Sequence, residues 1–338
     1  MKPFLLKPVI KDYIWGGTKL RDWFGKKSNT EILAESWELS CHPDGECSVA
    51  SGEFSGMTLK SFLKTHPEAM GNKCTDAENF PILVKLIDAR DNLSVQVHPD
   101  DEYARIHEND NGKTEMWYVI QADEGAELIY GFKEKITRED FQSAIEENTL
   151  MEKLNRVPVK SGDVFMIKPH TLHAIGKGIL IAEIQQSSNV TYRVYDYGRL
   201  GNDGKPRPLH IEKALEVTSL EPCTQNYGQP ELLKMPHAWH SPLCLCDYFC
   251  TSKYDVFTSI QLKSADNFMH ILVIQGEADL YSGNYCDDSD ENDRILHLTK
   301  GSSVFVPAGS DTCYIKGKCS VIITAQSGGK NNEILCRN

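Results

Sequence analysis

Two stretches, SGDVFMIKPHTLHAI (161–175) and KGSSVFVPAGSDTCYI (300–315), decide the reading of this chain because they read alike. Each runs from a Gly through a hydrophobic strand to a Pro, a turn and a second strand. Upstream of each lies an aromatic or aliphatic strand entering a turn, MWYVIQADEG (116–125) and HILVIQGEA (270–278). A unit that recurs in this way implies two related β-barrels. The surrounding segments agree: PILVKLID (81–88), LSVQVH (93–98), GILIAEIQ (178–185) and CSVIITA (319–325) are short, rich in β-branched residues and punctuated by Gly, Pro or Asp,. Regular intervening helices are missing, which suits a sandwich or barrel better than a doubly wound sheet.

Four short helices decorate this scaffold. They are expected at 58–64, at 100–108, after a capping Thr137 with Phe141, Ile145 and Leu150 on its buried face, and at 210–217. The segment 219–240 holds three prolines and no long strand. We place the domain boundary there, giving residues 1–235 and 236–338. The acidic run 284–294 lacks the Gly and the bidentate Glu of a calcium loop and reads as solvated surface.

With 338 residues the chain is long enough for a sizeable core,. Its net charge of −12 argues against a nucleic-acid or anionic-membrane partner,. An anionic small substrate would need a local basic pocket. The opening MKPFLLKPVI is broken by Pro3, Lys7 and Pro8, so it makes a poor signal peptide and a cytoplasmic protein is expected. The 11 cysteines then read as reduced thiols,. The tight group Cys244, Cys246 and Cys250 has no second ligand pair at zinc-finger spacing and reads as strand cysteines.

Four residues in the first half can make a metal site on strands: Gln96 and His98 in SVQVHPDD, Glu115 in GKTEMWYV, and His173 in KPHTLHAIGKG. Side chains two apart on a strand point the same way, so Gln96 and His98 share a face. Two imidazoles, a carboxylate and an amide oxygen suit a borderline divalent ion such as zinc. In the second copy Thr312 or Cys313 stands near the place of His173, so the second barrel is expected to carry no metal. His170 reads as a turn residue, and Asp100 and Asp101 as helix caps.

The segments IWGGTKL (14–20), ESWELS (35–40), NLSVQVHPDDEYA (92–104), GKTEMWYV (112–119) and PHTLHAIGKGILIAEIQQSSNVTYRVYDYGR (169–199) resemble the class I mannose-6-phosphate isomerases, in their short bacterial form. The resemblance spans roughly residues 1–217, and the repeat extends it toward the C-terminus. It implies a mainly β fold of two cupin-like, jelly-roll barrels with a few added helices. It also implies zinc-assisted interconversion of mannose 6-phosphate and fructose 6-phosphate through a cis-enediol, with one zinc per chain. Carried over by motif, the metal ligands fall on Gln96, His98, Glu115 and His173, with Gln96 the weakest donor. The catalytic arginine falls on Arg193, whose alternative is a salt bridge with Asp196. The base falls on Lys113, although Thr114 replaces the proline that longer relatives have there. Trp15, Glu35 and Lys85 fall in pocket-lining segments. A phosphosugar is the expected partner, and no obligate protein partner is evident. Two other readings are a cupin dioxygenase and a sugar-binding or regulatory cupin. A dioxygenase site assembled from one short motif is disfavoured because Glu115 lies 17 residues beyond His98, across a helix.

Overall fold

The computed structural model describes residues 1–201, 204–224, 226–264, 266–283, 294–327 and 336–337. The acidic segment 284–294 therefore lies outside the described residues, apart from Arg294. The fold is mainly β and its sheets are antiparallel. The apolar runs become strands as expected: Ile82–Ala89, Glu115–Ala122, Ile179–Gln186 and Met269–Ser282.

Two sheets make the first half. One has the order Val164–Ile167, Glu115–Ala122, Ile179–Gln186, Ile82–Ala89, Glu35–Leu39, Val9–Lys11. The other runs Tyr192–Tyr195, Val95–Val97, His173–Ile175, Glu127–Phe132, Leu154–Pro158. They pack face to face. Trp117, Val119, Ile181 and Ile87 of the first meet Leu128, Tyr130, Ile175 and Val157 of the second in one core. Period-2 alternation decides which residues turn inward, and it brings polar residues into this same interior.

Helices Arg138–Glu146, Leu150–Lys153 and Ile211–Val217 cover the outer face of the second sheet through Phe141, Leu150 and Ala214. Thr137 caps the first of them by accepting the Asp140 N–H,. Helix Asp101–His107 is capped by Asp100, which accepts the Tyr103 N–H at 2.9 Å. Asp101 is thus the first helical residue and not a second cap. His170 is in a turn with φ of 71°.

The second half is one large sheet that curls around its own apolar core, which includes Tyr254, Ile271, Val273, Leu280, Val304 and Ile323. The N-terminal strand Phe4–Lys7 joins this distant sheet, Phe4 opposite Phe305 and Leu5 opposite Val304. A further core joins the halves: Val84, Leu86, Met116 and Leu180 on the outer face of the first sheet meet Phe249, Phe268, Leu272 and Phe305. Each such side chain contributes about 1.5–3 kcal/mol by leaving water, so the halves are held by packing as well as by the returning strand.

Candidate metal centre and active site

The site grows from two rows of side chains that face each other between the sheets. In the first sheet Trp37, Lys85, Glu183 and Trp117 stand opposite one another on successive strands. Glu115 faces the same way, two residues before Trp117. In the second sheet Tyr130, His173, Gln96 and Arg193 form the matching row. The double glycine in IWGG closes one side. A Cβ on Gly16 would lie 2.6 Å from Ala34 Cα and one on Gly17 2.2 Å from Asp88 Oδ2, so only glycines let the Trp15 segment lie against these strands.

His98, Glu115 and His173 come together, with one candidate ligand atom from each lying within 4.8 Å of the others. His98 Nε2 is 3.3 Å from Glu115 Oε1 and His173 Nε2 is 3.9 Å from Oε2. Each imidazole donates its Nδ1 proton to a carbonyl, His98 to Val190 and His173 to Thr171, both at 2.8 Å. That fixes the tautomer and turns both Nε2 lone pairs toward Glu115, the arrangement metal-ligating histidines need. Burial, with Lys113 adding to it, holds His98 down to about 3, and burial also lowers His173. Both rings are neutral donors at ordinary pH. Glu115 Oε1 accepts no well-oriented hydrogen bond although the Lys113 ammonium is 2.6 Å away. Burial alone would raise the Glu115 carboxyl, but the Lys113 ammonium outweighs it and keeps the group ionised, well below the ordinary range. Two lone pairs and a carboxylate converging in this way fit a divalent cation.

Gln96 stands beside the cluster, its Nε2 3.4 Å from His173 Nε2. A half-turn of the amide brings the oxygen to that point, which is the acceptor a metal requires. Lys113 precedes the strand that starts at Glu115, yet its Nζ reaches both Glu115 and His98 Nε2, the latter at 3.4 Å. A cavity of about 260 Å³ opens above them, lined by Tyr13, Trp15, Glu35, Lys85, Gln96, Lys113, Glu183, Asn189, Arg193 and Arg207 among others. The three clustered donors lie behind Gln96 and Lys113 and do not line the cavity themselves. A larger cavity of about 570 Å³ elsewhere is lined by His42, Lys60, Glu78, Arg105 and Glu108 and contains none of the clustered donors.

Lys85 bridges Glu183 at 3.3 Å and Glu35 at 3.7 Å, and Glu35 also accepts the Trp37 indole N–H at 2.7 Å. Burial would neutralise Lys85, but Glu35, Glu183 and Glu115 outweigh it and keep the ammonium charged. Glu183 was not singled out from the sequence. Its carboxyl is raised, by burial first and by Glu115 second. It shares the Trp117 indole N–H with Glu115, at 2.8 Å against 3.1 Å. Two neighbouring carboxyls pushed in opposite directions are a recurrent feature of acid–base sites. The signal in the sequence was a lone Glu within the apolar strand ILIAEIQQ.

Arg193 does not pair with Asp196, which is gripped instead by Arg199 at 2.5 Å and by Arg207 at 2.5 and 2.7 Å. Arg193 donates to Ser94 Oγ at 3.3 Å and to the Pro208 carbonyl at 2.9 Å, both neutral acceptors. Its charge is therefore left for the cavity. Arg193, Arg207, Lys85 and Lys113 all line this cavity, and Arg193 is the one among them without a carboxylate partner in the ion pairs of the described residues.

Paired antiparallel sheets around a buried His–Glu–His cluster define a cupin with a centre able to hold a metal ion. The model of the phosphomannose isomerase type I catalytic domain matches residues 4–133, and that of the mannose-6-phosphate isomerase cupin domain matches residues 242–326. The chain belongs to the type I mannose-6-phosphate isomerase family. It is 40% identical over 323 residues to the probable mannose-6-phosphate isomerase GmuF of Bacillus subtilis, covering 95% of this chain and 98% of the relative. It is 39% identical to mannose-6-phosphate isomerase ManA of the same organism, covering 96% and 98%. The crystal structure of a Bacillus subtilis mannose 6-phosphate isomerase superposes with a TM-score of 0.86 at 34% identity, covering 96% of this chain and 99% of that one.

Proposed function

We propose that this chain interconverts mannose 6-phosphate and fructose 6-phosphate through a cis-enediol, with one zinc ion per chain held by His98, Glu115 and His173 and by Gln96 as a fourth donor. One observation carries the reading: two fixed Nε2 lone pairs and an ionised carboxylate converge beside Lys113 and under a cavity collecting four cations. Bound there, zinc supplies Lewis-acid polarisation of the sugar oxygens.

The remaining work falls to the chain's own residues. Beside a divalent cation the neutral amine of Lys113 is favoured over the ammonium, and that amine takes the proton from C2 and returns it to C1; its Nζ lies against Glu115 and His98 on the lining of the cavity,. Arg193 offsets the negative charge that develops on the enediolate oxygens, and its permanent charge is uncommitted to any carboxylate in the ion pairs described. Glu183, the neighbour with the raised carboxyl, can hold the hydroxyl proton that moves between O2 and O1. Lys85 attracts the anionic substrate and Glu35 orients Lys85. Trp15 walls the cavity.

We also propose the boundary near residue 235, with the site in 1–235 and a supporting domain without metal in 236–338. No helix among the described residues is long and apolar enough to cross a membrane, and we propose that the enzyme works in the cytoplasm on a phosphosugar partner. The test is a coupled isomerase assay on mannose 6-phosphate before and after chelation. Activity that vanishes with the metal and returns with zinc supports the reading, and turnover indifferent to chelation refutes it.

A further inference from the structure

The second half reaches the catalytic segment through a directed contact. Tyr248 lies in the turn between the strands Ala238–Leu245 and Phe249–Val256. Its hydroxyl donates to Asp101 Oδ2 at 3.0 Å. Burial first, and Asp101 next, push that phenol up to about 12, so it stays a donor across the neutral range. Arg105 forms a longer ion pair with the same oxygen, at 3.7 Å.

The far side of Asp101 holds the backbone on both sides of Lys113. Its Oδ1 accepts the Gly112 N–H at 2.9 Å and the Gln186 side-chain amide at 3.1 Å. Gln186 Oε1 in turn accepts the Thr114 N–H at 2.9 Å, and the Gln186 N–H donates to the Thr114 carbonyl at 3.1 Å. The Lys113 N–H itself donates to the Pro99 carbonyl at 3.1 Å, just before the same helix start. Gly112 fits only because it has no side chain: a Cβ there would lie 2.3 Å from the Asp101 nitrogen. Every residue from 112 to 114 is therefore tied to Asp101 directly, through Gln186, or through the segment leading into its helix.

We infer that Tyr248 is a positioning residue for the isomerisation: by anchoring Asp101 it fixes residues 112–114, and with them the Lys113 amine, so that the second domain sets the geometry of the proton transfer. This rests on the proposed role of Lys113. A positioning error of this kind is felt in the reacting state more than in substrate binding, because the proton donor must be placed within a fraction of an ångström.

The experiment compares Tyr248→Phe, Asp101→Ala, their double variant and Asp101→Asn in the zinc-loaded enzyme, with zinc content and thermal midpoint measured on each. Removing one hydrogen bond is expected to lower kcat in Tyr248→Phe by about five- to tenfold and to move KM by less than about twofold. Asp101→Ala loses about thirty- to a hundredfold, and the double variant is no worse than Asp101→Ala alone, since both act along one path. Asp101→Asn, which keeps an acceptor for Gly112, recovers much of the loss. Wild-type kcat in Tyr248→Phe, additive losses in the double variant, or a loss traced to missing zinc or a lowered midpoint overturns the inference. Lys113→Met run alongside separates the two readings. If it stays active, the lysine's role falls; if it is inactive while Tyr248→Phe is unaffected, only the tyrosine's role falls.

Discussion

The matched stretches of the two halves end in the same local device put to different use. In the first, His173 opens its strand and donates Nδ1–H to the carbonyl of Thr171, two residues back, leaving Nε2 aimed into the core. In the second, Cys313 opens its strand and donates its thiol to the carbonyl of Asp311, also two residues back. The cysteine has no second arm. It belongs to one apolar core with Leu262, Leu280 and Ile315, side chains that burial explains. Around His173 the interior instead carries Lys85, Lys113, Glu115 and Glu183, all nearly inaccessible to solvent. Buried charges cost several kcal/mol each to desolvate unless they are mutually paired. Their concentration in one of the two halves marks where function outweighs stability.

Replacements test this comparison, and the largest effect belongs to the cluster. His98→Ala or Glu115→Ala should lower turnover by on the order of a thousandfold or more, the several kcal/mol that Lewis-acid assistance supplies. Cys313→Ala, at the corresponding place in the other half, should leave the rate unchanged; equal losses at both places would erase the contrast. Ile271→Ala in the second core should cost about 2–5 kcal/mol of stability by denaturant unfolding, with kcat per folded molecule preserved,. Arg193→Ala should reduce kcat by about a hundredfold, as expected for loss of charge stabilisation. A raised KM with near-normal kcat would make the arginine a binding residue instead.

The smallest effect concerns pH. His270 is fully buried, bonds Ser303 Oγ through Nε2 at 2.8 Å, and is held down to about 3 by burial and then by Lys26. The unfolded chain takes up that proton near the ordinary value of 6.5. Its contribution to stability is thus complete above about pH 6.5 and is lost as pH falls toward 3, on the order of 2 kcal/mol by roughly pH 5. His270→Gln should flatten this slope in acid-unfolding curves, and an unchanged slope would remove His270 from the account.

Much of this was legible in the residues. Short runs rich in β-branched residues located the main strands, and Thr58, Asp100 and Thr137 marked helix starts that the structure keeps. Strand spacing put Gln96 and His98 on one face, and the family resemblance added Glu115 and His173 as the other metal candidates. What the sequence left hidden depends on non-local pairing. Nothing in FLLK says that Phe4–Lys7 will add to a sheet some 300 residues away. Arg207 and Asn189 reach the cavity from irregular segments with no period to read. The Tyr248–Asp101 bond spans 147 residues. Helices Lys19–Phe24 and Leu150–Lys153 are too short to carry a pattern of their own.

The most direct test of the central claim is metal analysis of the purified enzyme beside its His173→Ala variant. The account predicts about one zinc per wild-type chain, none in the variant, and activity only where zinc is present. A metal-free preparation with full activity would contradict it.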